Sequence, residues 1–350
     1  MAIKTDPGNY FEDFALGQVL VHATPRTASQ GDRALYQALY GSRFALQSDD
    51  GFARSLGLPE SPLDDMLVFH LVFGKTVPDI SVNAIANLGY AEGIFGVPLY
   101  PGDSVTATSQ VIGLKESSAG DSGIVYVRTR GANQRGEEIL RYVRWVLVRK
   151  RDKASPAPEP VVPQLAKPVP VEQLRLPAGL CFEGYDDGLA GSPHRFGDYV
   201  VGERIDHADG MTIEEAEHML ATRLYQNTAK VHFNRQAESQ GRFGRRIVYG
   251  GHVISLARAL SCNGLANACK VLALNGGSHT APTFAGDTLY AWSEVLETHA
   301  LPGRQDAGIL RLRTVALKDR AAEGFPDRGK DGKRDPAVVL DLDYSVSMPR

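Results

Sequence analysis

One stretch of this chain combines a side chain that can move protons with backbone that can bind an anion. The amide Asn227 precedes the imidazole of His232 by five residues, and two adjacent glycines, Gly250 and Gly251, then open an apolar helical pattern. A neutral imidazole is suited to general base catalysis near neutral pH. Free N–H groups at the start of a helix bind oxyanions, and glycine there allows a close approach. The pattern predicts proton transfer beside a carbonyl group whose oxygen becomes negative.

Other polar residues are candidates for holding a charged substrate. We expect His279, which follows two glycines and a serine, to line the pocket, Lys230 to bind a carboxylate, and Asp65 to face the substrate. A group of arginines suited to phosphate oxygens lies beside the reactive stretch: Arg235, Arg242, Arg245 and Arg246. The alternatives are core or interface histidines, a solvated lysine, an exposed charged loop and, for Asp65, stabilisation of a helix start.

A short pattern near the N-terminus recurs near the middle of the chain. Residues 11–17 (FEDFALG) and residues 196–202 (FGDYVVG) match 185 positions apart. At this offset identical residues coincide, namely His22 with His207, Thr27 with Thr212, Tyr40 with Tyr225, and Leu71 with Leu256. Residues 102–105 (GDSV) and 286–289 (GDTL) match with the offset changed by one. An ordered series at nearly constant spacing indicates internal duplication.

The duplication assigns different roles to the two copies. At the same offset His232 corresponds to Gln47 and Asn227 to Ser42, so the first copy lacks the base. We expect an N-terminal unit (residues 1–150) that forms part of the pocket and a C-terminal unit (residues 176–350) that carries the active site. The Pro- and Ala-rich residues 151–175 form the predicted linker.

Each copy has the same predicted order of elements. A short strand precedes a helix, and a buried apolar helix follows at residues 63–76 and 250–262. Strands are predicted at residues 84–89, 104–114, 123–131 and 139–149 in the first copy and at 271–276, 288–297, 309–317 and 338–348 in the second. Strands joined by turn residues form antiparallel sheets. We therefore predict an α+β fold in which each sheet wraps around a central helix.

Composition narrows the class of function. The 350 residues carry a formal net charge of −3, which predicts no general attraction to nucleic acid or membranes. The polar N-terminus and the lack of a long apolar run favour a cytoplasmic location. Three cysteines without a CxxC pair argue against a disulfide framework. Phosphate loops, dinucleotide fingerprints and metal-ligand spacings are missing from the sequence, which disfavours nucleotide hydrolysis, hydride transfer and zinc chemistry.

The reactive stretch resembles a known motif. Residues 226–232 (QNTAKVH) are similar to the Gly-Asp-x-Asn-Pro-Leu/Ile-His sequence of the MaoC-like hydratase 2 family. His232 stands at the histidine and Val231 at the aliphatic position, whereas Asn227 replaces the aspartate. With the duplication, the resemblance implies a double hot-dog dehydratase, in which two hot-dog units are fused in one chain.

The resemblance also implies a reaction. We expect reversible addition of water to a branched, dicarboxylic enoyl-CoA such as mesaconyl-CoA. His232 would act as base and acid, Asn227 would hold the water and orient the imidazole, and the N–H of Gly250 or Gly251 would bind the enolate oxygen. Coenzyme A belongs to the substrate, and we expect no further cofactor or metal. We expect the chain to form a homodimer or a higher homo-oligomer. The alternatives are an acyl-CoA thioesterase on the same fold and a non-catalytic acyl-CoA-binding subunit.

Overall fold

The computed structural model describes residues 4–329 and 331–350. Residues 1–3 of the predicted N-terminal unit and Lys330 of the C-terminal unit lie outside the described residues. The strands are β1 (Val19–Val21), β2 (Arg26–Thr27), β3 (Ala84–Phe95), β4 (Ser104–Glu116), β5 (Ser122–Ala132), β6 (Glu138–Arg149), β7 (Arg204–Thr212), β8 (Lys270–His279), β9 (Thr288–Ala300), β10 (Ala307–Lys318) and β11 (Val338–Pro349).

The helices are α1 (Gln30–Tyr40), α2 (Ala45–Ser48), α3 (Asp50–Ser55), α4 (Asp65–Ile80), α5 (Asp187–Ala190), α6 (Glu215–Leu224), α7 (Lys230–Phe233), α8 (Arg235–Glu238), α9 (Gly250–Leu260) and α10 (Cys262–Leu265). Short 3₁₀ turns form at Phe11–Asp13 and Phe196–Asp198, where the two copies of the repeated pattern begin. A third 3₁₀ turn forms at Val171–Gln173. None of the helices in the described part of the chain has the length and apolar character needed to span a bilayer.

The strands form one antiparallel sheet that wraps around two central helices. Its order is β1-β4-β5-β6-β3-β8-β11-β10-β9-β7, with β2 paired to β4. In β4, alternate residues such as Val105, Ala107 and Val111 are buried while their neighbours are more exposed, as expected for a strand with one face on the core. The helix α4 is buried on nearly all sides, because the sheet curves around it and α9 packs beside it.

The two halves of the sheet join through β3 and β8. Tyr90 pairs with Gly277 and Ile94 pairs with Ala273 in antiparallel register. The sequence predicts that β3 ends at Gly89, but the strand continues to Phe95. The additional residues are the ones that pair with β8, so a contact between the halves extends the strand.

Residues related by the repeat meet each other at the junction of the halves. The hydroxyls of Tyr40 and Tyr225 lie 2.6 Å apart, and these residues are separated by 185 positions. The Nε2 atom of His70 lies 2.8 Å from Oγ of Ser255, again at a separation of 185. A residue that contacts its own counterpart lies on a twofold axis. The fused halves are therefore arranged as a pseudo-symmetric dimer within one chain.

A second repeated feature lies inside each half. The Nε2 atom of His22 contacts Oγ of Ser109, which contacts Thr129, at 2.7 and 2.8 Å. The second half repeats this arrangement at 2.8 and 2.7 Å with His207, Ser293 and Thr314. The first of these histidines directly follows β1 and is bonded to β4 and, through Ser109, to β5; the second lies in β7 and is bonded in the same way to β9 and β10.

The predicted linker packs against both halves. Val161 forms an isolated antiparallel bridge with Leu114 of β4, and the N–H of Val169 donates to Oδ1 of Asn275 on β8 at 3.0 Å. The unit boundaries at residues 150 and 176 stay predictions, because a single sheet continues through both halves.

Asp65 occupies a structural position rather than the predicted substrate-facing one. Its side chain is buried, Oδ1 forms an ion pair with Lys270 of β8, and Oδ2 accepts the N–H of Val271 at 2.9 Å. The start of α4 is capped by the preceding Asp64, whose Oδ1 accepts the N–H of Met66 at 2.8 Å. Both oxygens of Asp65 thus anchor α4 of the first half to β8 of the second half.

Replacing Asp65 by alanine should destabilise the protein strongly. The change leaves the buried Lys270 without its anion, and breaking a buried ion pair in this way costs about 3–5 kcal/mol of unfolding free energy. Urea denaturation of the wild type and Asp65→Ala measures the loss. The matched control is the double variant Asp65→Leu with Lys270→Leu, which removes both charges and should recover most of the loss. A single-variant loss below about 1 kcal/mol, the range of exposed pairs, would contradict the structural role.

Candidate active site

The loop that carries the predicted reactive residues begins where α6 ends. Gln226 has a left-handed backbone (φ 55°), and the N–H of Asn227 donates to the carbonyl oxygen of Thr222 at 2.9 Å. This reversal satisfies a carbonyl group at the helix C-terminus. Oδ1 of the buried Asn227 then accepts the N–H of Ala229 at 3.1 Å, in a turn typical of asparagine. The turn leads directly into α7, which carries His232.

A backbone carbonyl determines which nitrogen of His232 can accept a proton. The Nδ1 atom lies 3.0 Å from the carbonyl oxygen of Ile247, and the N–H of Ile247 donates to the carbonyl oxygen of Val231 at 3.1 Å. A carbonyl oxygen can only accept a hydrogen bond, so Nδ1 carries the proton of the neutral ring. The lone pair of the imidazole is therefore on Nε2, which is the atom available as a base.

The surroundings of His232 keep the imidazole neutral. Burial lowers its pKa to about 4, and the hydrogen bond to Ile247 only partly opposes this shift. Its ring packs edge-on against Tyr249, with ring centroids 5.6 Å apart. At neutral pH the ring is therefore a neutral proton acceptor held in one orientation.

The N-terminus of α9 lies next to this imidazole. Tyr249 is the residue that precedes the helix, and no side chain caps the helix start. The first N–H groups of a helix have no partner within the helix, so Gly250 and Gly251 present free donors. A Cβ atom on Gly250 would lie 2.5 Å from the ring of His279, and one on Gly251 would lie 2.5 Å from the ring of His70. Glycine is needed at both positions because rings occupy the space of a side chain.

His279 joins the same cluster from the end of β8. Burial, with a smaller contribution from the charge of a protonated His232, lowers its pKa to about 4. Its ring lies edge-on to Tyr90 at a centroid distance of 6.0 Å, and its buried Nε2 atom has no hydrogen-bond partner among the residues that the structure describes. The structure thus brings His232 and His279 to the helix N-terminus formed by Gly250 and Gly251, and these are four of the residues that the sequence singles out.

Asn227 does not perform one of the two roles that the sequence suggests for it. The imidazole of His232 is oriented by the carbonyl of Ile247, and Oδ1 of Asn227 is used by the N–H of Ala229. The expectation that Asn227 orients the ring through its amide is therefore wrong. Its Nδ2 group is the part of the side chain left for a water molecule.

The predicted basic residues divide into two groups. Arg246 forms an ion pair with Glu215 and donates to the carbonyl oxygen of Phe233 at 3.3 Å, and the guanidinium of Arg245 lies 3.8 Å from the ring centroid of Phe284. These two side chains hold the loop to the protein. Lys230, Arg235, Arg242 and Arg245 are exposed to solvent, whereas Arg246 is half-buried.

A cavity of about 200 Å³ lies under the linker, and its walls share no residue with the cluster of His232. Glu92, Arg128 and Arg141 supply its charged groups, and Val169 and Pro170 of the linker cover it. Its lining contains neither an imidazole nor a helix N-terminus, so it offers no equivalent chemistry.

Two important members of the site were not predicted from the sequence. Tyr249 packs against His232 and also against His70, at a centroid distance of 5.6 Å. Its position directly before Gly250 was the available signal. The carbonyl oxygen of Ile247 belongs to the backbone, so its residue type carries no information about its role.

Comparison with known proteins places the whole chain among close relatives. The family model described as mesaconyl-CoA hydratase matches residues 2–328. The chain is 63% identical over 350 residues to β-methylmalyl-CoA dehydratase of Chloroflexus aurantiacus, covering 100% of this chain and 99% of the relative. It is 61% identical to mesaconyl-CoA hydratase of Cereibacter sphaeroides, covering 99% of this chain and 100% of that protein.

Solved structures agree with the fold. A MaoC domain protein dehydratase from Chloroflexus aurantiacus has a TM-score of 0.97 at 63% identity, covering 100% of this chain and 99% of that one. A Mycobacterium tuberculosis protein described as having a double hotdog fold has a TM-score of 0.77 at 25% identity, covering 98% and 99%. The double hot-dog fold predicted from the sequence is confirmed.

The buried imidazoles predict how stability depends on pH. Burial lowers the pKa of His207, His232 and His279 to about 4 and that of His252 to about 3, from the ordinary value of 6.5. Between these values the unfolded chain binds more protons than the folded chain, so the unfolding free energy falls as pH falls from about 6.5 toward 4. Asp64 opposes this trend, because burial raises its pKa to about 6.

Urea unfolding midpoints at pH 7, 6 and 5 test this expectation, and the midpoint should fall with each step. His299→Ala serves as a control, because the side chain of His299 is only half-buried and pairs with Glu297; its profile should keep the slope of the wild type. Midpoints that stay constant or rise from pH 7 to pH 5 would show that the imidazoles are not buried in the neutral form.

Proposed function

This chain belongs to the mesaconyl-CoA hydratase family, whose members are hydro-lyases, and we propose that it adds water reversibly to mesaconyl-CoA to give β-methylmalyl-CoA with His232 as the proton-transfer group. The observation that carries the proposal is the hydrogen bond between Nδ1 of His232 and the carbonyl of Ile247. It leaves Nε2 as an acceptor beside the free N-terminus of α9. A base and an oxyanion site at one place are what hydration of an enoyl thioester requires.

In the forward direction, Nε2 of His232 takes a proton from water while the water oxygen bonds to the β-carbon. The electrons of the double bond move toward the thioester, whose oxygen becomes negative. The N–H groups of Gly250 and Gly251 stabilise that oxygen, because the helix N-terminus carries positive partial charge. The imidazolium then returns its proton to the α-carbon, and the ring is neutral again.

A single imidazole serves as both base and acid in this scheme. Asn227 replaces the carboxylate of the related motif, and an amide accepts no proton at neutral pH. We assign to its Nδ2 group the binding of the attacking or leaving water. Because the same ring delivers the proton that it removed, hydroxyl and proton add to the same face of the double bond.

We assign the residues that contact coenzyme A from the solvent exposure of their side chains. We propose that Lys230, Arg235 and Arg242, whose side chains are exposed, form the rim that meets the phosphates of coenzyme A. The first half supplies walls of the acyl pocket through aromatic residues of α4 and β3. Three expectations stay predictions: a homodimer or higher oligomer, a cytoplasmic location, and the lack of any further cofactor or metal.

Replacing His232 by alanine should lower turnover of mesaconyl-CoA by at least about a hundredfold, the low end of general acid–base contributions. Turnover is measured by mass spectrometry of the hydrated product formed in heavy-oxygen water. His299→Ala, which removes a half-buried imidazole on β9, is the matched control and should retain wild-type turnover. A loss below tenfold in His232→Ala would refute the assignment.

The same assay separates the alternative functions. A hydratase adds heavy oxygen to the acyl chain and leaves the thioester intact, whereas a thioesterase releases the free thiol of coenzyme A and places the heavy oxygen in a carboxylate. Release of thiol at the rate of acyl consumption would favour the thioesterase. Binding of the thioester without either product would favour a non-catalytic subunit.

A further inference from the structure

Arg144 of β6 is a buried cation whose hydrogen bonds go to neutral groups. Its side chain is completely buried, and Nη2 donates to the hydroxyls of Thr76 at 2.7 Å and Ser81 at 2.9 Å. The Nε and Nη1 atoms are buried without a partner among the described residues. A buried charge without an opposite charge costs several kcal/mol, so natural proteins rarely keep one without a reason.

The surroundings of Arg144 offset only part of this cost. The guanidinium carbon lies 4.3 Å from the ring centroid of Phe73, in a cation–π contact. Thr76 and Ser81 belong to the C-terminal end of α4, where the helix dipole is negative. Burial lowers the pKa of Arg144, while the hydroxyls of Tyr142, Tyr90 and Tyr249 oppose the shift. These are partial charges and dipoles, so no full negative charge balances the cation.

Aromatic residues connect Arg144 to the reactive cluster. The ring of Phe73 lies 5.5 Å from that of Tyr249, which packs against His232. On the sheet, Arg144 is the register partner of Tyr90, whose ring packs against His279. The contacts that lead from Arg144 to His232 therefore pass through two rings, and those that lead to His279 pass through the ring of Tyr90.

The second half has a neutral, bonded group at the corresponding position. Thr129 pairs with Tyr142 across β5 and β6, and Thr314 pairs with Leu342 across β10 and β11. Tyr142 therefore corresponds to Leu342, and Arg144, two residues later, corresponds to Tyr344. The hydroxyl of Tyr344 contacts Oγ1 of Thr314 at 3.0 Å. The copy that lacks the reactive imidazole thus carries the uncompensated charge.

The other buried cations in the described part of the chain do not combine unpartnered nitrogens with the lack of a carboxylate partner. Lys270 pairs with Asp65 and Lys150 pairs with Glu116. Arg258 donates to the carbonyl oxygen of Ala268 and to the hydroxyl of Ser261. Among the residues that the structure describes, Arg144 combines two buried nitrogens that lack acceptors with the lack of a carboxylate partner.

We propose that Arg144 binds the free carboxylate of the acyl group and makes the site selective for dicarboxylic thioesters. The inference rests on the proposed function, in which the β-carbon that receives the hydroxyl also bears this carboxylate. An Arg–carboxylate hydrogen bond is strong in a site shielded from water. It places the β-carbon on the side of Tyr90 and Tyr249, where Nε2 of His232 can deliver water. The first half therefore binds the carboxylate of the acyl group, and the second half carries the proton-transfer group.

The test compares two substrates that differ only in this group. Tigloyl-CoA carries a methyl where mesaconyl-CoA carries the carboxylate. In Arg144→Met, kcat/KM for mesaconyl-CoA should fall by about a hundredfold or more, the scale for losing one partner of a buried charge pair, while kcat/KM for tigloyl-CoA changes by less than about threefold. Arg144→Lys keeps the charge but not the planar geometry, so it should fall between wild type and Arg144→Met.

The ratio of the two kcat/KM values separates recognition from stability. Arg258→Met removes another buried guanidinium and should leave this ratio unchanged, although the protein becomes less stable. An equal loss for both substrates in Arg144→Met, or an unchanged value for mesaconyl-CoA, would overturn the assignment.

A binding measurement keeps the inference independent of turnover. Calorimetry with succinyl-CoA and butyryl-CoA, which differ by the same replacement and do not react, should show a preference of the wild type for succinyl-CoA that Arg144→Met loses. If the wild type binds in this way but does not hydrate mesaconyl-CoA, the proposed function fails and the carboxylate site stands. If the wild type shows no preference, the carboxylate site fails whatever the turnover.

Discussion

The structure depends on the contact between the two copies along their pseudo-twofold axis. Tyr40 meets Tyr225 and His70 meets Ser255, so α4 and α9 pack against each other through residues at equivalent positions. These contacts are polar and buried, and such networks specify one arrangement because a shifted arrangement would leave buried groups without partners. The reactive loop starts directly after Tyr225. The axis contact therefore sets the distance between the reactive loop and the first half.

Fusion allowed the two copies to diverge. In a symmetric dimer both sites would carry the same residues, whereas here the second copy has His232 and the paired glycines and the first has Gln47 and Asp65 at or near those positions. Gln47 donates from Nε2 to the carbonyl oxygen of Cys269 at 2.6 Å, and Asp65 pairs with Lys270. Both substituted residues now hold the first half to the strand β8 of the second. The position of the lost site has become part of the interface between the halves.

The interior around the reactive cluster is organised to keep titratable groups neutral. Burial lowers the pKa of His70, His232, His252 and His279, and it raises the pKa of Tyr40, Tyr90, Tyr225 and Tyr249. In a weakly polar interior, the charge that develops on a thioester oxygen interacts strongly with the few donors aimed at it. The N-terminus of α9 supplies such donors without moving. Arg144 is a full charge in this neutral region and has no carboxylate partner among the described residues, which is why it is informative.

The sequence by itself determined the repeat, the central strands and helices, and the place of the reactive loop. These features are local or periodic: alternation in β4 to β6 and β9 to β11, the apolar pattern of α4 and α9, and the spacing of Asn227, His232 and the glycines. The buried Arg144 also left a trace, since it interrupts an otherwise apolar face of β6, although its role could not be inferred from that trace alone. Because the prediction rested on local pattern, it ended β3 at Gly89 and missed the residues that pair with β8.

Only the tertiary structure decided which groups meet. Asp65 was expected at the substrate but pairs with Lys270, 205 positions away, and Arg246 was expected at phosphates but pairs with Glu215, 31 positions away. The imidazole of His232 is oriented by the backbone of Ile247 rather than by Asn227. Long side chains and backbone carbonyls find partners according to the folded path of the chain, and neither residue type nor spacing records that path.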